Sequence, residues 1–342
     1  MMFRIFNMVF LIVIFVSNTV WAAESELILD DKKLQLWWLN IFTTNRDIYG
    51  VNTANADGSE TKNILSGGFG DMLWKSGSAI VNSPDGVVVD PIGKKVYWTN
   101  MNFLLGSTLG KEKGSVARAN LDGTEAELIV DPSSGLTCPK QIILDQVNKK
   151  LYWGDREGIK VWRSNLDGSA LEILVDWSDE DDSEHQIVGV EYNHQTSTLY
   201  WSDRRSGKIY FTKNFDGKIK KSEVEKYDVL VQGLDAPLDL KLDLPTNRLF
   251  FVERGNYFDR RCNTCGSVRV TSINGHFNKE ETKLLLGGVE PIGIDYDQQT
   301  AMVYYSDFNG SIGKMSTDGS SHTLILEPGS EGMTGIDVVR VN

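Results

Sequence analysis

Five short runs of the chain share one pattern: PDGVVVD, PKQIILD, IVGVEYN, PLDLKLD and PIGIDYD. A sixth, MTGIDVV, lies near the C-terminus. Aligned, they give a column of Gly86, Gln141, Gly189, Asp239, Gly293 and Gly335. Two residues on, and so on the same face of a strand, stand Val88, Ile143, Glu191, Lys241, Asp295 and Asp337. If the runs line a common axis, Glu191, Asp239, Lys241, Asp295 and Asp337 face one another across it. Carboxylates converging there on calcium could polarise the carbonyl of a lactone or ester, or serve a lyase. The competing reading is a water-filled tunnel that accepts charges, with Lys241 neutralising part of the acid. A lysine competes with any cation, which favours the tunnel.

Other chemistry is sparse. Cys262 and Cys265 form a CxxC in RRCNTCGS. Zinc wants four ligands, and neither a second CxxC nor a His pair accompanies it. A local disulfide stapling a loop is therefore the expectation, ahead of a metal or redox site. Cys138, alone in LTCPK, is expected to be a small buried apolar residue. No GxSxG, HExxH or P-loop is present. His185, His194, His276 and His322 sit in or near polar turns without an evident Ser or Cys partner. Asn309-Gly310-Ser311 is a sequon that matters only where exported proteins are glycosylated.

The 342 residues carry a formal charge of −12. An acidic balance excludes nucleic acid as the expected partner, because phosphates need a basic footprint. At the N-terminus Arg4 precedes the apolar MVFLIVIFV, and VWAAES then offers small residues for cleavage after Ala22 or Ala23. The apolar core is shorter than the roughly 20 residues of a membrane span. Residues 1–22 are thus read as a signal peptide. The mature chain is expected to be a monomer outside the cytosol, secreted or periplasmic, with no span.

The elements that would position these groups repeat. An aromatic pair followed by a small residue and an acid or amide recurs six times, at Trp37-Trp38, Tyr97-Trp98, Tyr152-Trp153, Tyr200-Trp201, Phe250-Phe251 and Tyr304-Tyr305. Each copy is followed by a turn pair: Asp57-Gly58, Asp122-Gly123, Asp167-Gly168, Asp216-Gly217, Asn274-Gly275 or Asp318-Gly319. Such pairs tolerate positive φ and close hairpins. Each repeat offers four short runs rich in β-branched and aromatic residues. Six four-stranded sheets with nothing helical between them close radially into a propeller. The fold class is therefore all-β, a six-bladed propeller of four-stranded blades. The first copy lacks the run that precedes the other five, and the C-terminal MTGIDVV supplies it. The blades are expected at 33–66 plus 332–342, 84–131, 139–175, 187–231, 237–287 and 291–327.

YWTN, YWGD and YWSD, with ANLDG and SNLDG downstream, resemble the YWTD repeats of low-density lipoprotein receptor class B propellers. The resemblance spans about 33–341. Blade 5 departs with Phe250-Phe251-Val252-Glu253 and blade 1 with Trp37-Trp38-Leu39-Asn40, and Arg118 and Arg163 become Thr212, Val270 and Lys314 elsewhere. Receptor members usually carry epidermal-growth-factor-like modules, which this chain has no cysteines to build. The resemblance implies a free-standing propeller acting as a binding module, without receptor activity.

The aromatic pairs are structural by default, so function should sit in the loops between repeats. Segments 65–84, 100–114 and 253–267 are long and emerge on one face. They carry Phe69, Trp74, Met101, Phe103, Leu104, Tyr257, Phe258 and Arg260, and apolar groups on one face mark a site for a protein or peptide ligand, or a glycan. Such loops also fold over and bury their own aromatics. The acidic segment 176–186 is expected to be solvated, since it lacks the spaced ligands of a calcium loop. No cofactor is expected unless calcium occupies the channel.

Overall fold

The computed structural model describes residues 33–41, 49–67, 80–101, 114–180, 183–213, 215, 217–255, 266–329 and 331–341. The expected signal peptide lies outside them, and among them no helix is long and apolar enough to cross a membrane.

The strands form six sheets arranged as blades. The innermost strands are Pro84–Asp90, Pro139–Asp145, Ile187–Asn193, Pro237–Asp243 and Pro291–Asp297 in blades 2 to 6, and Gly332–Val341 in blade 1. Each of these contacts the next around a closed circuit. The aromatic pairs lie on the second strands, which in blades 2 and 3 are Lys95–Asn100 and Lys150–Asp155. The ring closes in blade 1, where Gly332–Val341 pairs antiparallel with Lys33–Ile41, Lys33 opposite Val341. Two-residue strands, Ile219–Lys220 and Phe277–Asn278, add in parallel to the outer edges of blades 3 and 4. They cover edges that would otherwise be open for pairing.

The core is divided among the junctions between blades. Six buried clusters occur among the described residues, and each joins the first aromatic of one blade to the second aromatic of the next: Trp37 with Trp98, Tyr97 with Trp153, Tyr152 with Trp201, Tyr200 with Phe251, Phe250 with Tyr305, and Tyr304 with Trp38. All twelve are at most 3% exposed. An aromatic buries about 150–250 Å², so each contributes about 4–6 kcal/mol of gross burial free energy at about 25 cal/mol per Å². Alternation along the strand explains the division, because adjacent residues point to opposite sheet faces and so to opposite neighbours.

Polar bonds tie the same junctions together near the axis. Thr99 Oγ1 accepts from Gly86 N of its own blade at 2.9 Å and donates to Lys140 O of the next at 2.7 Å. Ser202 repeats this with Gly189 N and Leu238 O, and Ser306 with Gly293 N and Thr334 O. Where the hydroxyl is missing, at Gly154, the backbones close up: a Cβ there would sit 2.3 Å from Val188 O.

The outer hairpins are keyed to the preceding blade. Gly168 has φ 81°, and a Cβ on it would lie 1.8 Å from Ile129 O. Gly168→Ala should therefore destabilise the protein by at least about 1–2 kcal/mol, the cost of a Cβ in left-handed backbone alone. Gly217→Ala, where a Cβ meets nothing within 4 Å, should be close to neutral. Denaturant midpoints of the two variants check the difference.

Candidate functional site

The inner strands enclose a channel with a cavity at each end, and Gln141 lines both. The cavity at the end of the first-to-second-strand turns is about 250 Å³ and is lined by Glu191, Asp239, Lys241, Asp295 and Asp337. The strand alignment thus brought these five residues together. Lys241 Nζ lies 2.6 Å from Asp295 Oδ1. The carboxylates also take backbone N–H groups of the next blade: Asp239 from Ile294 at 2.9 Å, Asp295 from Val338 at 2.5 Å, and Asp337 from Val89 at 2.9 Å. They lace blades 5, 6, 1 and 2 together from inside. Among the described residues no three His, Cys, Asp or Glu side chains are grouped to hold a metal ion.

Burial dominates the titration here. It pushes the Glu191 carboxyl up to about 7 against the pull of Lys241. It raises Asp239, and it raises Asp337 with help from the charge of Asp295. Burial alone would pull the Lys241 ammonium down, but Asp295, Glu191 and Asp337 outweigh it and hold the ammonium above its usual value.

The other cavity, about 220 Å³, opens on the face of the long loops. Its rim follows from the repeat. The motif acid or amide at the end of each second strand is buried, and in blades 2 to 6 it takes a backbone N–H of the segment that leads into its blade. Asp155 accepts from Thr137 at 3.0 Å and Cys138 at 2.7 Å, Asp203 from Gln186 at 2.8 Å, and Asp307 from Glu290 at 3.0 Å. The residue immediately after the acid or amide is set at the channel mouth. These residues are Ile41, Met101, Arg156, Arg204, Arg254 and Phe308, and all six line the cavity.

Half of this rim is apolar and half cationic. Arg156 pairs with Glu157, and Arg254 Nη2 lies 2.6 Å from Glu290 Oε1 with its guanidinium 4.6 Å from the Phe308 ring centroid. Lys140, deeper in the mouth, lies 2.8 Å from Asp85. Arg204 Nη1 donates to the neutral Gln186 Oε1 at 2.7 Å. Burial, with the like charges of Arg156, Arg254 and Arg205, pulls the Arg204 guanidinium down to about 10.

Of the loop residues expected to bind a ligand, Met101 is described. It is 2% exposed, so it is no exposed anchor, and its Sδ lies 2.7 Å from Lys140 Nζ at the cavity wall. Phe69, Trp74, Phe103, Leu104, Tyr257, Phe258, Arg260, Cys262 and Cys265 lie outside the described residues. Cys138 is a buried free thiol, and burial raises its pKa. His185, directly after the turn at 183–184, is buried. It is 8% exposed, with Nδ1 2.6 Å from Asp203 Oδ2 and its ring edge-on to Trp177. The arginines of the mouth escaped the sequence reading, which named Arg260 as the basic residue of the loop face. The signal was available one residue past each motif acid, where the repeats diverge.

The raised carboxyl of Glu191 fixes a pH dependence. Its folded value of about 7 exceeds the ordinary 4.5. The native state therefore holds a proton that the unfolded chain releases, and this group's contribution makes stability fall as pH rises from about 4.5 through 7. Glu191→Gln should be nearly neutral at pH 4 and more stable than the parent at pH 8, by about 3 kcal/mol. Denaturant unfolding at the two pH values checks the sign.

No family model matches the chain. Among curated proteins it is 32% identical over 304 residues to a low-density lipoprotein receptor-related protein 1 of Pyricularia oryzae, covering 84% of this chain and 92% of that protein. It is 29% identical over 271 residues to the 3-hydroxyacyl-CoA dehydrogenase-like protein LAM1 of Cochliobolus heterostrophus, covering 74% of this chain and 55%, about half, of that one. Among solved structures, a chain of a nidogen/laminin complex is similar in fold, with a TM-score of 0.64 at 19% identity over 89% of this chain and 98% of that chain. Given the six repeats, the closed ring and a relative aligned along most of both chains, the chain belongs to the YWTD-repeat six-bladed propellers, the low-density lipoprotein receptor class B repeat family.

Proposed function

We propose that the protein is an exported, monomeric binding module that holds a protein or peptide segment on the loop face, over the channel mouth. The observation that carries this reading is the convergence of six equivalent residues, three apolar and three arginines, on one cavity at that mouth. Aromatic and arginine side chains around a recess are the composition of binding hot spots. Segment 102–113, with Phe103 and Leu104, follows the mouth residue Met101 in the chain, and segment 256–265, with Tyr257, Phe258 and Arg260, begins two residues after the mouth residue Arg254. The signal-like residues 1–22 support export. The structurally similar chain comes from a nidogen/laminin complex, an assembly of two proteins, and this supports a protein ligand by analogy of fold alone.

A calcium-dependent hydrolase at the opposite end of the channel has less support. Lys241 occupies Asp295, and Asp239 and Asp337 accept backbone N–H groups. Those partners already take up acceptor sites that an ion would need.

A random peptide library selected on the immobilised mature protein tests the proposal. Enriched peptides should lose at least tenfold in affinity to a Trp74→Ala/Phe103→Ala or a Phe308→Ala variant. They should bind normally to Val147→Ala, changed on the opposite turns at a side chain 66% exposed. Peptides equally indifferent to all three would overturn the loop-face assignment.

A further inference from the structure

Three arginines in consecutive blades occupy one register position, immediately after the motif acid, and point their charge at one small cavity. Like charges do not gather without something to offset them. Arg156 has Glu157, Arg254 has Glu290, and Lys140 beside them has Asp85. Of the four cations that line the cavity, three are ion-paired among the described residues, and the fourth, Arg204, is not. Its hydrogen-bond partner, Gln186 Oε1, is a neutral oxygen. The whole chain is acidic, with a net charge of −12, so this excess of positive charge is local.

Resting on the loop-face reading, we propose that the channel mouth is a socket for a single carboxylate on a short aliphatic stem, bound by Arg204 between Arg156 and Arg254. Arginine matches a carboxylate with two parallel N–H donors, which a lysine does not. The apolar half of the wall, from Ile41, Leu238, Ile292 and Phe308, suits a stem of a few methylenes. At about 220 Å³ the cavity is smaller than the roughly 300–1,000 Å³ of ordinary small-molecule pockets. It fits one acidic side chain of a partner or a small free dicarboxylic acid, and not a nucleotide or an oligosaccharide. A bound carboxylate supplies the charge that Arg204 lacks. Burial, and after it the like charges of Arg156, Arg254 and Arg205, pulls this guanidinium down to about 10.

An unmatched cation has consequences with and without ligand. Without ligand, Arg204→Gln should raise the melting temperature by about 1–3 °C, because it removes repulsion and a buried charge. With ligand, the same substitution should abolish the response. Thermal melts of the mature protein are recorded with glutarate, with the neutral glutaramide, and with sodium chloride at matched ionic strength. Glutarate at tenfold excess over its dissociation constant should raise the melting temperature of the parent by about 2 °C. Glutaramide and salt should not, and Arg204→Gln should be unmoved by glutarate. Lys94→Gln removes an equal charge from an exposed turn at the other end of the channel and should respond like the parent.

The peptide arm separates the two sources of carboxylate. Loop-face peptides should carry an acidic residue whose replacement by Gln or Asn weakens binding at least tenfold on the parent and not on Arg204→Gln. A glutarate response without any peptide binding would support the socket and sink the protein-ligand reading. Peptides that bind the loop face but tolerate loss of their acid would keep that reading and overturn the socket. A glutarate response retained in Arg204→Gln would also overturn it.

Discussion

The pairing of Gly332–Val341 with Lys33–Ile41 is the interaction on which the molecule depends. A blade has two apolar faces, and each is covered only by a neighbouring blade. An open row of blades would leave two large faces in water, while a ring leaves none. Closure here takes an antiparallel ladder between the two ends of the sequence, and the inner carboxylates extend it. Asp295 reaches Val338 from blade 6, and Asp337 reaches Val89 of blade 2, so the closing strand is bonded on both sides near the axis. Those bonds are why carboxyls can remain in a buried channel. Burial disfavours their charge, and protonation or a backbone N–H makes the burial tolerable.

Within each blade the repeated residues divide the labour. The aromatics fill the junctions, the hydroxyl of Thr99, Ser202 or Ser306 bridges two inner strands in blades 2, 4 and 6, and the acid or amide clamps the incoming loop in blades 2 to 6. Blade 5 shows that the clamp depends on geometry more than on residue type. Its acid is Glu253, whose longer side chain takes Asp235 N at 2.6 Å and also meets Arg269 at 2.6 Å and Lys279 at 3.1 Å. The residue after the acid or amide is not fixed in type, although Ile41 and Phe308 also pack against the junction cores. That position varies from Ile to Met to Arg to Phe around the ring, and it faces the channel mouth.

The two ends of the channel differ electrostatically. Several acids, held together by one lysine, crowd the turn end, and burial keeps Glu191, Asp239 and Asp337 reluctant to ionise. The loop end holds arginines, whose guanidinium groups stay charged at neutral pH. A ligand approaching from the loop face meets positive charge inside an acidic protein, and this favours an anionic group at the mouth over the rest of the surface.

The sequence by itself determined the ring. The alternation of aromatic pairs with Asp-Gly turns, and the inner run missing from the first copy and present after the last, specify six blades and their closure, because a period-2 pattern has a single satisfactory burial in stacked sheets. It also determined the channel acids, since residues two apart on aligned strands must share a face. Tertiary structure decided what those acids do: whether Asp337 meets a cation or the Val89 amide depends on the offset between blades, which no single strand encodes. It likewise placed His185 against Asp203 and drew Arg156, Arg204 and Arg254 from three repeats into one cavity. Those arginines are about fifty residues apart in the chain. Only the rotation from one blade to the next makes them neighbours.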